Sequence, residues 1–402
     1  MPVQDRGLCA ILLGLGVGWG AGNVGPVATS LSHSFGVSLA AVGLLSGTAY
    51  FAATAVATPL VVPLAARVGV VHAAAFAAAV MAAGQLLFAV SPAFDGLVAA
   101  RVLVGVGAGL ALVAAPVMAR ERGGVRLLGM LGGAITLGIA AALGLGSGLV
   151  DVGATWRAGF VISAAICASP LLVLPPSITM QPVPRPDRAF VIAALRAGRL
   201  WRLAALFVAA NGVPLIVSAW LVAFLTQQAN LRTAVAGSLA FVLFGLTTVV
   251  RPLGPRLIRG RRAFAVQAGG GLLVAAGGLA ALGVTKSLAA ASLAVVLMGV
   301  GFALPYAVTI DMAERLFPGR AAATLAIVQT GPNVVPIVVI PLVGSALGSR
   351  HGTAAFLILA AFVAAVAIAN LRQPPESAPA PESDVADSQP GQAGRPAGRH
   401  RP

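Results

Sequence analysis

Charge is scarce in this sequence. Only 9% of its 402 residues are Asp, Glu, Lys or Arg, against roughly 25% in a soluble domain, so it lacks the polar surface to stay in water. Cysteine is nearly absent: Cys9 and Cys167 both fall in apolar runs, which excludes a disulfide framework or a cysteine metal cluster. The histidines offer no ligand set either, because His33, His72 and His351 stand at run ends and His400 near the C-terminus. Acids number eleven, and none falls near the middle of an apolar run. Asp5, Asp95, Glu121, Asp151 and Asp187 lie before or between runs, Asp311 and Glu314 end one, and four follow the last. There is no Walker A lysine and no nucleophile–histidine–acid set, so the expectation is no enzyme, no cofactor and no metal.

What the chain has is membrane-length apolar sequence. Mean hydropathy is +0.96, and a spanning helix needs about 20 mostly apolar residues. Runs of that kind occur near Leu8–Leu31, Leu39–Leu64, Ala73–Val90, Leu97–Met118, Leu127–Val150 and Ala158–Leu174. A second set follows near Leu203–Leu225, Ala236–Ile258, Ala263–Val284, Leu288–Ala313, Ala321–Leu347 and Thr353–Leu371. These predict an all-α polytopic membrane protein with twelve transmembrane helices, numbered 1 to 12 in chain order. The first run is full length without a small-residue cleavage site, and reads as helix 1 rather than a signal peptide.

Two six-helix bundles, 1–176 and 200–372, flank a proline- and arginine-rich linker, 177–199. After Arg372 the composition turns to Pro, Ala, Gly, Ser and acids, which predicts a disordered tail over 373–402. The net charge of +15 does not point to nucleic acid, because the arginines cluster in alternate links between runs. Arg6, Arg67, Arg120, Arg122, Arg126, the linker, Arg256 to Arg262, Arg315, Arg320 and Arg372 fall on one side. Arg157, Arg232, Lys286 and Arg350 fall on the other. By the positive-inside rule the first side and both termini are cytoplasmic, and a bacterial inner membrane suits the chain. The halves also repeat: Val102-Leu-Val-Gly-Val-Gly107 echoes Val296-Leu-Met-Gly-Val-Gly301, with Gly43 matching Gly237 in the same register.

Two frames are more specific. Arg101-x-x-x-Gly105-x-Gly107-x-Gly109 lies in helix 4, and Trp156-Arg157-x-x-Phe160 opens helix 6. Glycines inside a membrane run allow close helix approach, whereas a nucleotide fingerprint needs a soluble βαβ unit. In order and spacing the two frames resemble helices 4 and 6 of the major facilitator superfamily, over Leu8–Leu371. The resemblance implies transport of a small solute by alternating access, with helices 1, 4, 7 and 10 lining the cavity. It also implies that the helix 4 arginine takes part in proton coupling or substrate handling. The plain alternative for Arg101 is snorkelling to the surface, paired with Asp95 or Asp151. The motif that joins helices 2 and 3 in that family, glycine then Asp-Arg-x-Gly, departs here to Ala66-Arg67-Val68-Gly69, led by Val62. Its second-half counterpart, from Arg251 through Arg259, lacks the acid too. Asp311 and Glu314 stand as replacements that pair with Arg67 or Arg259, or as ordinary interfacial charges. Helix 5 lacks the Gly-Pro step of drug/proton antiporters.

Polar residues at membrane depth complete the expected cavity: Asn23, Arg101, Asn211, Tyr306, Gln329 and Asn333. Gating or coupling falls to Arg67, Gly69, Arg251, Arg259, Asp311 and Glu314. The partners expected are a small-molecule substrate and the lipid bilayer, with no nucleic acid and a monomeric chain. A small polar or anionic solute is the first expectation. The alternatives are export of amphipathic compounds by proton antiport and a non-transporting scaffold or receptor. With no acid near the midplane, facilitated diffusion or exchange stands level with proton coupling.

Overall fold

The computed structural model describes residues 2–174, 188–253, 264–317 and 321–372. Arg259, residues 177–187 of the expected linker and the stretch 373–402 lie outside the described residues, as do the side chains of Asp311 and Glu314. Among the described residues all regular structure is helical.

The first bundle holds helix 1 (Gly7–Phe35), helix 2 (Leu39–Val68), helix 3 (Val70–Val90), helix 4 (Phe94–Glu121), helix 5 (Arg126–Asp151) and helix 6 (Trp156–Val173). A short helix, Arg188–Arg196, occupies part of the expected linker. The second bundle holds helix 7 (Gly198–Gln228), helix 8 (Thr233–Val250), helix 9 (Ala265–Val284), helix 11 (Ala321–Gly348) and helix 12 (Gly352–Leu371). Helix 10 crosses in two pieces, Leu288–Ala303 and Pro305–Leu316. Pro305 opens the second piece at a helix N-terminus, where its missing N–H leaves no hydrogen bond unmade. Among the described residues the other eleven are long and apolar enough to cross a membrane, helix 1 with a turn at Asn23 and Val24 inside it.

Small residues set how closely the helices approach. A Cβ at Gly105 would lie 2.3 Å from the Tyr50 carbonyl oxygen, and one at Gly109 2.5 Å from that of Thr54, both on helix 2. Gly107 points the other way, 2.7 Å from the Ala77 oxygen on helix 3. Positions four apart share a helix face and the one between them does not, so the glycine frame seats helix 4 between helices 2 and 3. It is a packing device, as its setting in an apolar run implied. Rising glycines on helix 1 meet rising residues on helix 5, Gly14 with Leu131, Gly18 with Ile135 and Gly22 with Ile139, so these two run parallel. Helices 4 and 5 belong to one helical run, Phe94–Asp151, yet cross the bundle in opposite directions.

The loops alternate between two faces. Arg67 and Arg126 mark an arginine-rich face; there Gly69, at φ 87°, makes the sharp turn from helix 2 to helix 3. On the opposite face Trp156 rings pack with Phe35, Phe88 and Phe160. Arg157 lies over the Trp156 ring and donates to the Ala89 carbonyl, one of the last four of helix 3, which lack an intrahelical partner. The Trp-Arg frame therefore fastens helix 6 to helix 3.

The bundles meet along three pairs, helix 5 with 8, helix 2 with 11 and helix 1 with 7. Helices 2 and 11 touch on the half nearer the opposite face. A Cβ at Gly43 would lie 2.7 Å from Pro341 Cα, and Thr48 Oγ1 donates to the Ile337 carbonyl at 2.8 Å. Pro341 explains that free carbonyl, because it has no N–H to offer the residue four before it. Near the same face Arg232 pairs with Asp151, joining helices 8 and 5.

Candidate functional site

Two polar clusters sit within the apolar bundle, each built on one arginine and one tyrosine. The chain has two tyrosines in all, and each lies under a guanidinium.

The first cluster joins helices 1, 2, 3, 4 and 6. Arg101 has no solvent exposure, so it does not snorkel. Its Nη1 donates to the Gly20 carbonyl at 2.9 Å and to Asn23 Oδ1 at 3.2 Å, and its Nε to the Leu45 carbonyl at 3.3 Å. The guanidinium carbon stands 4.7 Å from the Tyr50 ring centroid, within cation–π range. The Leu45 carbonyl is offered by a π-helical turn, Leu44–Ala49, a distortion that recurs at functional positions. Asn23 Nδ2 donates to Gln85 Oε1 at 2.9 Å and Ser163 Oγ at 3.2 Å, and Trp19 Nε1 also donates to Ser163 Oγ. Asp95 and Asp151 are not its partners; Asp151 pairs with Arg232.

The second cluster lies on the seam between the bundles. Arg251 follows helix 8 directly. Its Nη2 donates to Asn211 Oδ1 on helix 7 at 2.8 Å, and its Nη1 to Thr136 Oγ1 on helix 5 at 3.2 Å. The guanidinium carbon stands 4.5 Å from the Tyr306 ring centroid. Asn211 again belongs to a π-helical turn, Val208–Gly212. The Tyr306 hydroxyl faces Gly132 of helix 5, 3.6 Å from where a Cβ there would stand. Both bundles thus contribute to one site around a cation. Among the described residues neither Arg101 nor Arg251 is paired with a carboxylate. Each keeps one buried N–H without a partner, Nη2 in Arg101 and Nε in Arg251.

Of the residues expected to line a cavity, Asn23 joins Arg101, and Asn211 and Tyr306 join Arg251. Gln329 and Asn333 join neither: Asn333 donates to the Gln329 carbonyl one turn earlier on helix 11. Arg67 is exposed at the arginine-rich face. Arg251, expected from a motif echo to serve the gate, lies instead with two expected cavity residues. Sequence reading missed Tyr50, Gln85, Ser163 and Thr136. Gln85 carried a usable signal as an amide inside the helix 3 run; a hydroxyl in an apolar helix carries almost none, since it can bond its own turn.

Residues 10–331 match the Major Facilitator Superfamily. The chain belongs to that family. Solved structures agree on the fold. A bacterial homolog of the human lysosomal transporter Spinster, in an inward-facing and occupied conformation, aligns at TM-score 0.67 and 18% identity, covering 90% of this chain and 94% of its own. A D-xylose-proton symporter aligns at TM-score 0.70 and 16% identity, covering 92% and 98%. The xylose transporter XylE of E. coli, partially occluded and inward open, aligns at 0.65 and 14% over the same shares. No protein of curated function matches the sequence. The protein is thus a multi-pass membrane transporter of this superfamily, and the family's small-molecule cargo gives the two arginine clusters their context.

One further space is open. An apolar cavity of about 420 Å³ lies between helices 1, 5 and 6, lined by Trp19, Asn23, Leu145, Gly148, Gly159 and Phe160 among others.

Proposed function

We infer that the protein carries a small polar or anionic solute across the membrane by alternating access, with an anionic group on the solute favoured. The observation that carries this reading is Arg251, a cation on the seam between the bundles with no carboxylate partner among the described residues and a free buried N–H. A buried cation is costly unless matched, and a neutral sugar supplies no charge to match it. A planar guanidinium already held by Asn211 and Thr136 is oriented for a carboxylate or similar oxyanion. The arginine-rich face is cytoplasmic in this reading, the membrane is a bacterial inner membrane, and the carrier works as a monomer. Transport runs downhill or by exchange, since no acid in the sequence stands near the midplane to relay a proton.

The test is uptake of labelled solutes into proteoliposomes, anions against neutral compounds of similar size, with and without an imposed pH gradient. Arg251→Ala is expected to lower uptake of the anions at least about tenfold, a barrier change of about 1.4 kcal/mol. Neutral solutes carried equally well by both proteins would overturn the assignment. Gradient-driven accumulation would overturn the uncoupled mechanism.

The apolar cavity between helices 1, 5 and 6 favours a second reading, export of amphipathic compounds. A Cβ at Gly159 meets nothing within 4 Å, so the side chain of Gly159→Leu starts in open space at that cavity. Under the anion reading the variant takes up anions at the wild-type rate. Loss of drug resistance in cells expressing Gly159→Leu, with anion uptake intact, would establish the second.

A further inference from the structure

The position of the apolar cavity narrows what can fill it. Its walls come from helices 1, 5 and 6 and the link after helix 5, all in the first bundle, so it stands apart from Arg251 and its partners. On its rim Leu145 of helix 5 is 60% exposed and Ile162 of helix 6 is 41% exposed. Apolar side chains exposed on a spanning helix meet the hydrocarbon of the bilayer. Deeper in, Trp19 and Phe160 are buried by the protein. Gly148 on helix 5 and Gly159 on helix 6 hold the space open between rim and floor, since a Cβ on either meets nothing within 4 Å.

The polar groups at the floor are already engaged. Trp19 Nε1 donates to Ser163 Oγ. Asn23 Nδ2 donates to Gln85 Oε1 and Ser163 Oγ, while its Oδ1 accepts from Arg101. An occupant is therefore held mainly by packing. An empty apolar space forfeits dispersion contacts along its lining, and the molecules at hand to restore them are lipid chains. The length fits a lipid chain as well. The helix 5 wall, residues 142–150, rises about 12 Å at about 1.5 Å per residue, most of one leaflet's half of a hydrocarbon core about 30 Å thick. Helix 5 ends at Asp151 on the face opposite the arginine-rich one, so this wall lies in the leaflet of the opposite face.

We propose that this cavity is a site for one acyl chain of a phospholipid from the leaflet of the opposite face. The chain enters past Leu145 and Ile162 and packs against Trp19 and Phe160, behind the network that leads to Arg101. The probe is phosphatidylethanolamine carrying a diazirine midway along one chain, doped into phosphatidylethanolamine–phosphatidylglycerol vesicles that hold the full-length protein. Illumination and peptide mapping are expected to place cross-links on Trp19 and Phe160 as well as on Val161, which is exposed beside the cavity and outside its lining. Gly159→Leu should lose the cross-links to Trp19 and Phe160 and keep those to Val161. Gly148→Leu, from the facing wall, should do the same. Cross-links on Val161 alone in wild type, or undiminished labelling of Trp19 and Phe160 in both variants, would overturn the site. Labelling of Trp19 by a photoactivatable amphipathic cation but not by the lipid would give the cavity to cargo instead. No outcome depends on flux, so this proposal and the anion reading at Arg251 fail independently.

Discussion

Gly18→Val is expected to yield no folded protein. A Cβ at Gly18 would stand 1.8 Å from the Ile135 carbonyl oxygen and 2.7 Å from its carbon. These are backbone atoms, so no rotamer change relieves the overlap, and helices 1 and 5 have to separate. The contact is reciprocal: a Cβ at Gly138 would fall 2.3 Å from the Leu15 oxygen and 2.8 Å from the Trp19 nitrogen. Ordinary overpacking costs about 1–3 kcal/mol, and a clash against a helix backbone at the tightest crossing described should exceed that. The same separation would pull Trp19 and Asn23 from Ser163. The check is the monodisperse fraction on size exclusion after detergent extraction. Gly148→Ala, where a Cβ meets nothing within 4 Å, serves as the control and should behave as wild type. A normal Gly18→Val profile would mean that helices 1 and 5 do not cross as described.

Arg101→Ala is expected to insert and fold but to transport poorly. Its three hydrogen bonds reach helices 1 and 2. At roughly 0.6 kcal/mol for an average interhelical bond in a membrane protein, the stability loss is about 2 kcal/mol, and removal of a desolvated charge offsets part of it. Transport should suffer more. Arg101 grips the π-helical turn Leu44–Ala49 through Leu45, and the same turn holds the other bundle through Thr48 and Ile337. Without the arginine, movement of helix 1 no longer carries helix 2 with it. Maximal flux is therefore expected to fall at least about tenfold, a barrier change of about 1.4 kcal/mol, with the half-saturating solute concentration little changed. Arg101→Lys should rescue poorly, because one ammonium cannot serve Leu45, Gly20 and Asn23 together. A change confined to half-saturation would make Arg101 a solute ligand rather than a positioning residue.

Much of this architecture is legible in the sequence because a bilayer imposes it. Lipid cannot satisfy backbone groups, so each crossing must be a long apolar helix, and eleven such spans follow among the described residues. Pro305 has an effect that the apolar run Leu288–Ala313 does not show: helix 10 pauses at Leu304 and crosses in two pieces. Arg101 was visible as a costly charge at membrane depth. Its partners were not, because Gly20, Leu45 and Tyr50 lie 81, 56 and 51 residues away and two of the bonds go to backbone carbonyls. The neighbours of Arg251 were hidden for a related reason. It ends a helix in sequence, and only the fold turns its side chain toward Asn211. The π-helical turns in helices 2 and 7 leave no mark in so uniform an Ala/Gly/Val composition.

Alternating access requires helices 2 and 11 to part on the face where they now touch. The most direct measurement locks them there. Cys9→Ala and Cys167→Ala remove the native thiols, and Thr48→Cys with Ile337→Cys places a pair at the Thr48–Ile337 contact. The proteoliposome assay is then run before oxidation, after oxidation and after reduction. The account predicts normal uptake before, near-complete loss when the disulfide forms, and full return on reduction, with no such cycle in either single-cysteine variant. Uptake that continues at its full rate through a fully formed cross-link would contradict alternating access at this seam.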